Sequence, residues 1–203
     1  VSMWRIYDYK GVEKAVVHEV EYEGNHGGTR TLTCSISSPM PIAWEVTDLI
    51  TYRDENFYLR HIPQAKKQAR KGMHKEAFVY DNIVFYSAID ELASCDFLDV
   101  VKDGGNVHYS ALPNFSFYCE TIDDIADRLQ ANLDRLYTGS KKWTIIVNRD
   151  PLAKTNIKPQ ALSFSAEKCS QVLERIYNDL GVTYEHTNRT ITFGAMPIVM
   201  PYE

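Results

Sequence analysis

The sequence predicts an α+β chain that is mostly β, with a small N-terminal β-barrel followed by two strand-helix-strand α/β units. Thirteen Tyr and eight Phe, together with many Val, Ile and Thr, favour strands, because branched and aromatic side chains suit a pleated, half-buried surface. The first hundred residues alternate apolar and polar positions between turn-forming clusters. Beyond residue 110, two apolar stripes of helical period follow one another. A chain of 203 residues, 44% hydrophobic, can bury the core of one large domain or two small ones, which argues against disorder.

In Thr31-Leu32-Thr33-Cys34-Ser35-Ile36 the apolar residues fall on every second position, as in a strand with one wet face. Val16, His18, Val20 and Tyr22 alternate against Val17, Glu19, Glu21 and Glu23, which predicts a strand ahead of a glycine-rich loop at 24–28. Segments 49–53 and 57–62 read as a hairpin joined at Asp54-Glu55-Asn56. Strands at 4–9, 77–80 and 83–86 bring the count before residue 90 to six or seven, enough for a small barrel or sandwich. Residues 87–99 fit either a short helix or a continued strand. Asp103-Gly104-Gly105-Asn106 is a turn signal, and it marks the expected boundary between domains 1–103 and 104–203.

In the second half, Thr121 and Asp124 form a capping box ahead of apolar residues at Ile122, Ile125, Ala126, Leu129, Leu133 and Leu136, with Gly139 as the stop. A second helix is predicted from Ser165 as N-cap, through Cys169, Val172, Leu173, Ile176 and Leu180, to Gly181. An offset of 47 residues superimposes the two stripes, carries Phe115-Ser116-Phe117 onto Leu162-Ser163-Phe164, and carries Arg128 onto Arg175. Strands at 143–147 and 182–185 complete the two units. Parallel pairing of the strands flanking each helix would explain the single apolar stripe, since the helix then packs on one sheet face.

No G-x-S-x-G elbow or recognisable Cys-His pattern is present, and the six histidines sit in strand or turn contexts. No catalytic, cofactor-binding or metal-ligating residue is predicted, and the chain itself is read as no enzyme. Asp96, Asp99, Asp103 and Asn106 lack the spacing of a calcium loop. Cys34, Cys95, Cys119 and Cys169 lack the spacing of a zinc site or redox dithiol and read as reduced, buried thiols. No apolar run approaches a membrane span, and a soluble, intracellularly made protein is expected.

The net charge of −5 conceals an asymmetry: residues 60–75 hold six basic side chains and no acid, while the remainder carries 16 basic against 27 acidic residues. An acidic body repels nucleic acid. Within the basic segment, Lys66, Lys67, Arg70 and Lys71 form a cluster with three readings: a solvated loop or short helix, a subunit interface steered by charge, or a weak nucleic-acid contact.

The runs Gly28-Thr29-Arg30-Thr31-Leu32-Thr33-Cys34-Ser35-Ile36, Leu49-Ile50-Thr51-Tyr52-Arg53-Asp54-Glu55-Asn56-Phe57-Tyr58-Leu59-Arg60-His61-Ile62 and Glu76-Ala77-Phe78-Val79-Tyr80 resemble the opening of phage tail hub proteins. These include the tail-associated lysozyme or prophage endopeptidase tail family and the baseplate hub of contractile phages. The resemblance implies a tube-like β-barrel domain, a homotrimeric ring joining the tail tube to the tail tip, and α/β domains following it. It further implies tail tube, distal tail and tape-measure proteins as partners, without cofactor, membrane or specific nucleic acid. The location implied is the virion tail, with assembly in the host cytoplasm. Enzymatic domains in that family lie further C-terminal. The chain's stop at Met200-Pro201-Tyr202-Glu203, where a returning barrel segment is expected, reads as the end of an N-terminal fragment. Competing functions are a peptidoglycan hydrolase and a nucleic-acid-binding module.

Overall fold

A computed structural model describes residues 2–24, 28–69 and 76–194. The chain divides into two compact units, Val1–Ala88 and Ile89–Glu203. The first contains β1 (Trp4–Tyr7), β2 (Glu13–Val17), β3 (Glu21–Gly24), β4 (Arg30–Ser38), β5 (Leu49–Tyr52), β6 (Glu55–Leu59), β7 (Lys66–Ala69) and β8 (Glu76–Ser87). One sheet runs β2-β1-β5-β6-β8-β4-β3, with β7 added against β8, and it curls into a half-barrel. Among the described residues the barrel expected from the sequence is not closed: β2 and β3, at the two ends of the path, do not pair with each other.

The core of this unit follows from the alternation. Leu32, Cys34 and Ile36 of β4 are buried together with Ile6, Ile50, Phe57, Leu59, Ile83 and Phe85. Each fully buried Leu, Ile or Phe contributes about 2 kcal/mol through removal of apolar surface from water. The expected strand through Val16 and Tyr22 is broken into β2 and β3, and Val17 rather than Val16 points inward. Antiparallel pairing of Trp4 with Val17 sets that register, and a one-residue shift exchanges the two faces.

Two further differences concern turns. Tyr52 pairs with Glu55, so the β5–β6 connector is Arg53-Asp54, both in the left-handed region at φ 50° and 64°, and not residues 54–56. The two strands expected at 77–80 and 83–86 are the single strand β8. A bulge there opposes the Cys34 to Ile36 stretch of β4, with Asn82 at φ 52° and its N–H donating to Ser35 Oγ at 3.2 Å.

The 3-10 helix Ala88–Ser94 resolves the ambiguous stretch after β8. The second unit then has β9 (Asp99–Asp103), β10 (Asn106–Ser110), β11 (Asn114–Cys119), α1 (Ile122–Leu136), β12 (Thr144–Val147), β13 (Gln160–Ser165), α2 (Cys169–Leu180), β14 (Tyr184–Thr187) and β15 (Thr190–Phe193). Gly104 and Gly105, at φ 55° and 89°, form the two-residue tip of the β9–β10 hairpin. The turn placed at the domain boundary by the sequence thus lies inside the second unit. The reason is that residues 98–100 are held by α1: Arg128 reaches Asp99 at 2.7 Å, and the buried Asn132 side chain bonds both the N–H and the C=O of Leu98 at 2.9 and 3.0 Å.

Helix α1 begins as expected, with Asp124 accepting from the N–H groups of Glu120 and Thr121 at 2.8 and 3.0 Å. It ends at Leu136, ahead of Gly139, and Leu136 itself is exposed. Helix α2 starts later than predicted. Its N-cap is Lys168, whose N–H donates to Gln171 Oε1 at 2.8 Å, and not Ser165, the last residue of β13. Ala166 N–H still pairs with Pro113 O at 2.8 Å, which extends the β11–β13 ladder past the expected cap. The strands flanking each helix do not pair with one another. Instead β11 pairs with β13 antiparallel, and β12, β15 and β14 form a second sheet in which only β12–β15 is parallel. Helix α1 packs against β9, β11 and β12, and Ile125, Leu129 and Leu133 on it and Val172, Leu173 and Ile176 on α2 are buried.

Candidate interaction surface

Among the described residues, β2, β3 and β7 each pair on one side only. Strand β7 is built from the basic segment: Lys66 opposes Val79, Lys67 opposes Phe78, and Gln68 opposes Ala77. Alternation puts Lys66 and Lys67 on opposite faces. The Lys66 side chain is 75% exposed and lies 3.7 Å from Asp81, while the Lys67 ammonium sits 5.8 Å from the centre of the Phe78 ring. The bland loop reading of these two lysines is replaced by an edge strand. Arg70 and Lys71, the other two candidate interface residues, lie outside the described residues.

Strand β3 is the opposite in charge. Glu21, Tyr22 and Glu23 are all exposed, and Tyr22 lies stacked 5.5 Å from Tyr52. Charged side chains on an edge blunt indiscriminate strand addition while leaving the backbone available to a partner of matching charge. Tyr9, Val12 and Val16, around the β1–β2 hairpin, add exposed apolar surface.

Two of the acids singled out in the sequence are ion-paired, Asp96 with Lys168 and Asp99 with Arg128. His18, His61 and His108 are exposed and His186 is buried, while His26 and His74 lie outside the described residues. No cluster of three metal-ligating side chains occurs among the described residues, and no described helix is long and apolar enough to cross a membrane. A cleft of about 270 Å³ beside α1 is lined by Val100, Lys102, Asp124, Asp127 and Arg128, and it holds no nucleophile next to a base.

All four cysteines are buried and unbridged. Burial pushes the Cys34 thiol up to about 12 and the Cys119 thiol up to about 11. Sequence spacing concealed one relation: Cys95 and Cys169 have their sulfurs 3.4 Å apart.

The fold of the chain is similar to that of two solved phage tail proteins. The chain superimposes on prophage tail protein gp18 of Listeria monocytogenes EGD-e with a TM-score of 0.59 at 10% identity, over 95% of this chain and 50% of that one. It superimposes on the tail protein of Neisseria meningitidis MC58 with a TM-score of 0.52 at 12% identity, over 99% of this chain and 53% of that one. The chain therefore spans about half the length of each. No family model and no curated protein matches the sequence.

Proposed function

We propose that the chain is a structural component of a phage or prophage tail, a hub that joins the tail tube to the tail tip by assembling into a ring. The observation that carries this reading is a half-barrel in which, among the described residues, β3 and β7 each pair on one side only and are opposite in charge, acidic on β3 and basic on β7. The fold shared with two tail proteins supports it.

Its action is assembly without turnover. Unpaired edges and complementary fields steer copies of the chain into a closed, head-to-tail contact, with Lys66, Lys67, Arg70 and Lys71 at the subunit boundary. The ring is a homotrimer, its partners are the tail tube, distal tail and tape-measure proteins, and it resides in the virion tail after assembly in the host cytoplasm.

Negative-stain imaging of the natural full-length protein, alone and with purified tail-tube protein, tests the reading. Rings that cap tubes are expected, and reversing Lys66 and Lys67 to Glu should lower the ring fraction most at low salt. A persistent monomer without affinity for the tube protein overturns it, and clearing of a cell-wall suspension by this chain would put a hydrolase in its place.

A further inference from the structure

Cys95 and Cys169 stand 74 residues apart in sequence and meet in the buried interior of the second unit, with sulfurs at 3.4 Å. The backbone holds them there. Asp96 and Lys168 form an isolated antiparallel bridge, Cys169 N–H donates to Cys95 O at 2.8 Å, and Phe97 N–H donates to Glu167 O at 2.9 Å. Cys95 follows the 3-10 helix Ala88–Ser94, and Cys169 is the first residue of α2, so neither sulfur sits on a freely moving loop.

We propose that Cys95 and Cys169 are a peroxide-reactive dithiol that closes to an intramolecular disulfide and locks the start of α2 to the end of the 3-10 helix. Closure requires the sulfurs to move only from 3.4 Å to about 2.05 Å, between backbones already in hydrogen-bonding register. The thiols are electronically unequal. A hydrogen bond from Cys169 lowers the Cys95 thiol from its ordinary range, with Arg135 and Lys168 acting in the same direction, whereas Cys169 is pushed up. One sulfur is thus disposed to be the thiolate and the other to remain protonated beside it.

The steps balance with one peroxide. The Cys95 thiolate attacks an oxygen of hydrogen peroxide, the O–O bond breaks, and the departing hydroxide takes a proton to become water, leaving a sulfenic acid. The Cys169 sulfur then attacks that sulfenic sulfur, the S–O bond breaks, and the hydroxyl leaves as water with the Cys169 proton. Two thiols and one peroxide become one disulfide and two waters. Both cysteines are 0% exposed, so peroxide reaches them through a local opening of the chain beside Asp96 and Lys168, whose side chains are 59% and 44% exposed.

The full chain, treated natively with a small excess of hydrogen peroxide and then alkylated in denaturant, provides the test by mass spectrometry. The expected product has two alkylated cysteines, Cys34 and Cys119, an intact mass 2 Da below that of the reduced chain before alkylation, and one linked peptide pair containing Cys95 and Cys169. Its Tm should rise by about 5 °C or more, because the link constrains a long loop of the unfolded chain. Cys95→Ser and Cys169→Ser should each abolish the linked pair. Four alkylated cysteines after treatment, a link involving Cys34 or Cys119, or sulfinic acid at Cys95 without a link overturns the proposal, and all are read on the unsubstituted protein.

Discussion

The Arg128 guanidinium lies 4.0 Å from the centre of the Phe117 ring, and 47 residues further along Arg175 lies 4.4 Å from the ring of Phe164. The same helix residue covers the same strand residue in both copies. Because β11 and β13 run antiparallel with Ser116 opposite Ser163, Phe117 opposes Leu162 and Phe115 opposes Phe164. The two copies are related across that serine pair by a local two-fold, and Phe117 and Phe164 stack at 5.6 Å between them.

These stacked cations predict a coupled pair of stability effects. Arg128→Ala and Arg175→Ala should each cost about 1 kcal/mol in urea unfolding, since both guanidiniums are largely desolvated over a ring and ion-paired. The double variant should depart from additivity by about 0.5 kcal/mol or more, because the two rings touch. Strict additivity would show that the copies do not communicate.

Glu91 joins two distant parts of the second unit. Its carboxylate accepts from Trp143 Nε1 at 3.0 Å and from Arg189 at 2.7 Å, with both charged side chains mostly buried. Glu91→Ala should cost about 2 kcal/mol or more, because it removes a mostly buried counter-charge of Arg189 and the acceptor of the Trp143 N–H. Thermal unfolding measures this, and Trp143→Phe should cost less, since it removes one neutral donor.

Asn132 lets a side chain stand in for a strand. Its amide donates to Leu98 O and Arg128 O, and its carbonyl accepts from Leu98 N–H. Asn132→Ala should cost about 2 kcal/mol by orphaning buried backbone groups. Amide hydrogen exchange at Leu98 should accelerate selectively.

The acid limb of stability is set in part by Asp96 and Asp123. Their hydrogen-bonded pairing with Lys168 and Arg149 lowers both carboxyls below the ordinary range. A carboxyl depressed by folding contributes stability above its unfolded value near 4 and loses it as pH falls through the folded value. Both side chains are substantially exposed, so each contributes only about 0.5 kcal/mol. Asp96→Asn and Asp123→Asn should flatten the Tm profile below pH 4 and lower Tm slightly at pH 7.

The helices and the central strands were legible because each buries one face and writes it as a period. Leu32, Cys34 and Ile36, or Ile125, Leu129 and Leu133, point to the core by spacing alone. The interruptions were not legible. Asn82 and the Arg53-Asp54 pair take left-handed backbone without glycine, so the polar cluster at 54–56 announces a turn but not its two-residue length, and the bulge at Asn82 follows only from pairing with β4. Val16 and Val17 are equally apolar, and only pairing with Trp4 decides which turns inward. The basic segment was visible as charge, but its strand character depends on the free edge of β8, a long-range partner. The meeting of Cys95 with Cys169 depends on a tertiary bridge that no spacing rule encodes.

Strand β8 joins the β7 edge to the buried core of its unit. Its one edge carries β7 against residues 76–79 and β6 against residues 85–87, while β4 runs along the other. A pull on β7 therefore enters this spine and is discharged through Phe85 into Leu32 and Leu59, which are almost wholly buried. The bulge at Asn82 lies between the point of loading and that seat, where a strand can flex without unzipping. A partner paired with β7 would load the buried core of its unit through β8.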